Sequence, residues 1–99
     1  MAIKSFADKG TEDVFDGVAS KTARKVCPQQ LWHRARTRLD DINQVRHYSD
    51  LRTPPSNRLH QLKGDREGQW AIAVNDQYRI CFRWEGTDAF DVEITAHYE

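Results

Sequence analysis

The sequence predicts an α+β fold in which an N-terminal strand and a helical hairpin pack on one face of an antiparallel sheet. Two observations carry that expectation. Before the break at Thr53-Pro54-Pro55-Ser56 the apolar residues recur at helical spacing; after it they alternate with polar ones, the period of a strand with one buried face. Length supplies the scale: a chain of 99 residues buries roughly 60 to 70% of the surface it exposes unfolded, enough for one modest core, so residues 1–99 are expected to form a single domain.

Ile3 to Phe6 reads as the first strand. Thr11 to Val18 reads as a short helix, with Glu12, Asp13 and Asp16 in its early turns and a stop near Gly17. Cys27-Pro28 marks the entry to the main helix, since proline suits a first helical position. From there to about Val45, the residues Leu31, Ala35, Leu39 and Ile42 align one apolar face, with His33, Arg34, Arg36 and Arg38 elsewhere. Tyr48 to Leu51 adds a helical turn before the prolines end the helical part. Trp70, Ile72 and Val74 then share one strand face, Asn75-Asp76 reads as a two-residue hairpin loop, and Tyr78, Ile80, Phe82 and Trp84 form the apolar face of the return strand. Arg79, Cys81 and Arg83 point the other way. Phe90, Val92 and Ile94 repeat the alternation against Asp91, Glu93 and Thr95. The tryptophans at 70 and 84 and Phe82 therefore read as core rather than base-stacking platforms; Trp32 is open to either reading.

Composition narrows the class. Hydrophobic residues at 38% and charged residues at 30% fit a folded domain rather than a disordered chain. No apolar run approaches a membrane span and MAIKSFADKG has no signal-like core, so the expected location is the cytoplasm, without membrane contact. Cys27 and Cys81 read as reduced thiols, and neither has metal-ligand spacing; no metal or other cofactor is expected. The net charge of zero argues against a protein that coats nucleic acid indiscriminately. Its distribution is uneven: Lys21 to Leu39 holds six basic and no acidic residues, and Trp84 to Glu99 holds five acidic and no Lys or Arg. The basic stretch suits ribosomal RNA or an acidic partner, or is a solvated helix face; the acidic strand suits a partner of opposite charge or is an edge protected by carboxylates.

The chemistry concentrates in NRLHQLKGDREGQWAIAVNDQYRICFR, residues 57–83, which sets His60, Lys63, Arg66, Arg79 and Arg83 on consecutive strands and turns. RNA is cut without metal when its own 2′-hydroxyl attacks the adjacent phosphate, which requires proton exchange and cations around the transition-state charge. Histidine exchanges protons near neutral pH. Guanidinium stays charged and matches phosphate oxygens in pairs. By pattern alone Arg79 serves equally as a phosphate cation or as a cross-strand partner of Glu93 or Asp91, and a lone histidine is more often structural than catalytic. His60 and Lys63, three apart, would face opposite sides of a regular strand, so either the strand bends near Leu62 or Lys63 belongs to the turn opened by Gly64. Arg66 and Arg83 read as phosphate-positioning cations, with Asp65 and Glu67 as neutralising neighbours of Arg66. Arg34 and Arg38 are the basic-helix candidates for RNA contact.

L-H-x-L-K-G-D-R-E-G, a strand opening on an aromatic, a short turn and a strand carrying Y-R-I resemble the HigB branch of the RelE/ParE superfamily of bacterial toxins. The likeness runs residue by residue through the C-terminal half and by element order, with the opening IKSF, through the N-terminal half. It implies a RelE-like fold and a toxin of a type II toxin-antitoxin pair: an endoribonuclease, independent of metal, that cuts mRNA on the ribosome and arrests translation. Its implied partners are the ribosome with its mRNA and a small helix-turn-helix antitoxin, HigA-like, through which it reaches operator DNA as co-repressor. His60, Lys63 and Arg79 match catalytic positions of the family. The family's terminal Asp-Tyr-His is represented here by Ala96-His97-Tyr98, with the acid lost and the last two reversed, so His97 and Tyr98 enter as candidates in a weakened constellation. The rival expectations are a ParE-type toxin directed at gyrase, which His60 with Lys63 and Arg79 argues against, and a toxin that has lost catalysis and only tunes its antitoxin's repression.

Overall fold

The computed structural model describes residues 2–96. Helix α1 (Lys9–Asp16) begins where the Asp8 carboxylate accepts from the Thr11 N–H at 2.7 Å, and ends at Gly17, which takes the left-handed conformation (φ 76°) that closes helices most cheaply without a Cβ. A second helix, α2 (Lys21–Val26), was not expected: its six residues bury only Ala23 and so carry no apolar period, and the remaining signal is Ser20, whose hydroxyl accepts from the Ala23 N–H at its start. The two pack closely because Gly10 faces Thr22; a Cβ there would lie 2.5 Å from the Thr22 carbonyl oxygen. Helix α3 (Trp32–Gln44) follows a 3-10 turn over Gln29–Leu31 and buries Ala35, Leu39 and Ile42, the face its spacing predicts. A further 3-10 turn, Tyr48–Arg52, also matches expectation.

The sheet runs β1 (His60–Gln61), β2 (Trp70–Ala73), β3 (Tyr78–Glu85), β4 (Asp88–Ala96), antiparallel throughout and in sequence order. One face, with Ile72, Ile80, Phe82, Ala89, Val92 and Ile94, closes on Val14, Ala35, Leu39, Ile42 and Leu51 to make the main core. Trp70 and Trp84 pack against that core, as does Trp32, whose indole N–H donates to the Cys27 carbonyl at 3.1 Å. The α+β layering expected from the sequence is therefore what the chain forms.

Three details depart from the sequence pattern. Val74 donates to the Tyr78 carbonyl and Ala73 pairs with Arg79, so the β2–β3 loop holds three residues, Asn75, Asp76 and Gln77, rather than two. The Asn75 side-chain oxygen accepts from the Gln77 and Tyr78 N–H groups, an Asx turn that supplies the extra residue with a closed backbone. In β4 the register slips between Cys81 and Arg83: Cys81 faces Glu93, but Arg83 faces Phe90. Asp91 is the bulged residue, with φ 54°, its N–H donating to the Ser5 hydroxyl at 2.9 Å. The bulge turns Phe90 out of the apolar row and puts Ala89 there instead; the Phe90 ring lies under the Arg83 guanidinium, 5.4 Å away. The N-terminal segment lies parallel to β4 but touches it only as isolated bridges, Ile3 to Ala89 and Phe6 to Val92, because the bulge interrupts the ladder between them.

Candidate active site

The second face of the sheet is built from short side chains. Ala71 and Ala73, both on the central strand β2, place only methyl groups between β1 and β3. Leu62 covers Ala71 and Cys81 at one end, and Arg66 reaches back from the loop to Glu93. Toward the other end the floor stays open. There a cleft of about 380 Å³ is lined by Arg58, His60, Ala73, Asn75, Asp76, Tyr78 and Arg79.

Each wall has a local cause. Asn57 is fully buried, and its amide donates to the Leu51 carbonyl at 3.1 Å, anchoring the segment that leaves the prolines. Arg58 follows in the left-handed region (φ 48°), which turns its side chain back over the hairpin loop; its guanidinium meets the Asp76 carboxylate at 3.4 Å. His60 pairs with Ala71 on the open face, and its Nδ1 donates to the Arg58 carbonyl at 2.8 Å, since a carbonyl can only accept. In the neutral ring that contact leaves Nε2 as the acceptor. Half-buried Arg79 stands opposite Ala73 on β2 and Thr95 on β4, on the face its alternation predicts. His60 and Arg79 thus meet in one cleft, a charge-bearing site in which Asp76 is, among the described residues, the single carboxylate of the lining.

The other candidates are placed differently. Lys63 caps the 3-10 turn Gly64–Arg66, outside β1, which settles how it and His60 escape strand alternation; it is exposed and is not part of the cleft lining. Arg66 donates to Glu93 at 3.0 Å and Gln69 at 3.1 Å, and the bond to Glu93 holds its guanidinium more firmly protonated than usual. The neutralising carboxylate is thus Glu93, remote in sequence, rather than Asp65 or Glu67 alone. Arg83 donates to Asp91 at 2.8 Å and pairs also with Glu85. Arg34 and Arg38 line a second groove beside the first, together with Arg58. His97 and Tyr98 lie outside the described residues. Ala96 pairs with Tyr78, a cleft-lining residue. Cys81 lies beneath the loop, its thiol pushed up by burial and partly drawn back by Arg79 and Arg66. Among the described residues no group of three or more His, Cys, Asp or Glu gathers as a metal-ligand set.

Arg58, Tyr78 and Asp76 were not singled out from the sequence as site residues. Arg58 had a usable signal, lying two residues before His60; its left-handed backbone had none, since arginine gives no hint of positive φ.

Comparison with known proteins agrees with this fold and extends it. The YoeB/ParE toxin from Agrobacterium tumefaciens superposes with a TM-score of 0.53 over 99% of this chain and all of that one, at 14% identity, a likeness of fold. Toxin HigB-1 of Vibrio cholerae serotype O1 is 30% identical over 97 residues, 98% of each chain. Endoribonuclease HigB of Proteus vulgaris is 38% identical over 89 residues, 89% of this chain and 90% of that one. With residues 4–97 matched by the model of the RelE-like toxin of the type II toxin-antitoxin system HigB, and with relatives this similar along nearly its whole length, the chain belongs to the HigB-like toxin family.

Proposed function

We propose that this toxin is an endoribonuclease that cuts mRNA through its 2′-hydroxyl, with no metal, in the cleft between β1 and β3. The observation that carries the reading is His60 held by the Arg58 carbonyl so that Nε2 remains available, in the same cleft as the Arg79 and Arg58 side chains. Nε2 exchanges the proton of the attacking hydroxyl or of the leaving 5′-oxygen. Arg79, with Arg58 beside it, takes the charge that grows on the phosphate oxygens. Lys63, exposed just after β1, adds a cation at the approach to the cleft. His97 and Tyr98 follow directly on Ala96, the strand partner of Tyr78, and act as auxiliary proton-exchange groups in a slower constellation than one with an acid at 96. The Proteus vulgaris relative carries the name endoribonuclease, which supports the same activity here.

Membership in a type II family implies an antitoxin partner. A helix-turn-helix antitoxin, HigA-like, would hold the toxin in check and carry it to operator DNA. Ribosome dependence is what the family likeness implies, and the net charge of zero agrees with it: a protein that makes few phosphate contacts binds free RNA weakly and gains from a ribosome that presents the mRNA. A cytoplasmic location accompanies that role. Induction of the toxin alone tests the reading: growth arrest with cleaved transcripts supports it, arrest with DNA breaks points to gyrase, and no arrest leaves a co-repressor. With purified protein, cleavage of mRNA only when programmed ribosomes are added is expected; equal cleavage of naked RNA at physiological salt refutes the dependence.

A further inference from the structure

The run of basic residues that looks uniform in sequence is divided by the fold. Lys21, Arg24 and Lys25 lie on α2. Arg36 faces Gly17 at the end of α1, its guanidinium nitrogens 3.2 and 3.3 Å from where a Cβ would stand there. Arg34 and Arg38, four apart on α3 and therefore one above the other, turn instead toward the hairpin loop. With Ser56 and Arg58 they line a groove of about 300 Å³. That groove shares Arg58, Ala73, Asn75 and Asp76 with the cleft of His60 and Arg79, so the two adjoin.

The arginines of this groove are poorly supplied with counter-charge. Arg38 is buried to 14% side-chain exposure, yet among the described residues its Nε has no hydrogen-bond partner and its nearest carboxylate, Asp41, lies 3.9 Å away. No ion pair to Arg34 is present among the described residues. Among the described residues Asp76 is the one carboxylate in the groove, and it pairs loosely with Arg58 from a fully exposed loop position. Arg34, Arg38 and Arg58 converge on this groove with little carboxylate among the described residues to offset them, and guanidinium groups gathered in that way match the paired oxygens of a phosphate.

We propose that Arg34, Arg38 and Arg58 form a second phosphate site, which holds the phosphate neighbouring the scissile one on the same RNA strand. The proposal rests on the endoribonuclease reading of the cleft, and it assigns Arg34 and Arg38 to the substrate strand rather than to ribosomal RNA or an acidic protein. Arg58, common to both cavities, spans successive phosphates. Asp76 is the competitor that the incoming phosphate displaces from Arg58.

Anisotropy with 2′-O-methyl oligonucleotides, which cannot be cut, tests this at low ionic strength. A dinucleotide carries one phosphate and a tetranucleotide three. The parent is expected to bind the tetranucleotide more tightly. The double variant Arg34→Gln/Arg38→Gln should lose about tenfold or more on the tetranucleotide and keep the parent's affinity for the dinucleotide. Its salt dependence should fall by about 0.7 in log–log slope, the share of one single-strand phosphate. Asp76→Asn should bind the tetranucleotide more tightly than the parent, and decides the matter if the double variant does not fold. Absence of any length preference in the parent, equal losses on both lengths, or loss only of binding to mRNA-free ribosomes overturns the site. Cleavage is read separately: a protein that shows the length-dependent loss but never cuts RNA keeps the phosphate site and refutes the endoribonuclease reading.

Discussion

Replacing Arg79 with alanine separates catalysis from folding. Its neighbours across the strands are Ala73 and Thr95, both short, and it lies on the face opposite Ile80 and Phe82, so truncation opens no void in the main core. The stability cost includes the packing of a half-buried aliphatic stem, about 1 kcal/mol, or roughly 4 to 8 °C in melting temperature for a domain of this size. The catalytic cost is larger. Removing one donor aimed at transition-state charge typically costs ~10² to 10³ in rate, about 2.7 to 4 kcal/mol. Arg79→Lys keeps the charge but loses the paired geometry and should fall between parent and alanine. Single-turnover cleavage of ribosome-bound mRNA, run beside thermal melting, reads both effects. An Arg79→Ala protein that melts as expected and cuts at the parent's rate removes Arg79 from the mechanism.

Gly10→Ala should destabilise the α1–α2 contact by about 1 to 3 kcal/mol, because the new methyl meets the Thr22 carbonyl at 2.5 Å and Val26 Cγ1 at 2.7 Å; chemical denaturation measures it, and an unchanged midpoint refutes the close packing. Asp13 accepts from Ser20 at 2.6 Å and Thr22 at 3.0 Å and pairs with Lys9 at 3.1 Å, and these contacts, Ser20 foremost, hold its carboxyl below the usual value. Its contribution is present above the ordinary carboxylate pKa and is lost as pH falls through the depressed one, so Asp13→Asn should flatten the acid limb of a melting-temperature titration. Burial pushes the Cys27 thiol up to about 11. Unfolded thiols ionise first as pH rises past their ordinary value, so stability declines there, and Cys27 in the native protein should resist alkylation that proceeds readily in denaturant. Ala96→Asp with His97→Tyr and Tyr98→His should raise the cleavage rate; a variant no faster than the parent removes the tail from the proposed mechanism.

The helical half and both sheet faces were readable because each rests on a period: Ala35, Leu39 and Ile42 on one side of α3, and Ile72, Ile80 and Phe82 on one side of the sheet. What escaped depends on single residues in unusual backbone states. The α2 helix buries too little to show a period, the Asx turn at Asn75 lengthens a loop by one, and Asp91 reverses the parity of everything before it in β4. In the cleft, His60 and Arg79 were accessible through their chemistry and family likeness. Arg58 had only its place two residues before His60 as a signal, because what turns it into the cleft is its own left-handed backbone, next to buried Asn57.

The bulge at Asp91 also bears on when the strand beside Arg79 takes its register. Its backbone is clamped by Ser5, eighty-six positions earlier, and Ile94 just beyond it by the Thr11 hydroxyl at 3.0 Å, eighty-three positions earlier. Contacts of such sequence separation form late, after the large loop between them has closed. Until the segment holding Ser5 and Thr11 docks on β4, neither clamp is in place and the parity of that strand is not fixed. The strand beside Arg79 is therefore held in register by residues more than eighty positions earlier, so the support behind the cleft's arginine is a long-range one.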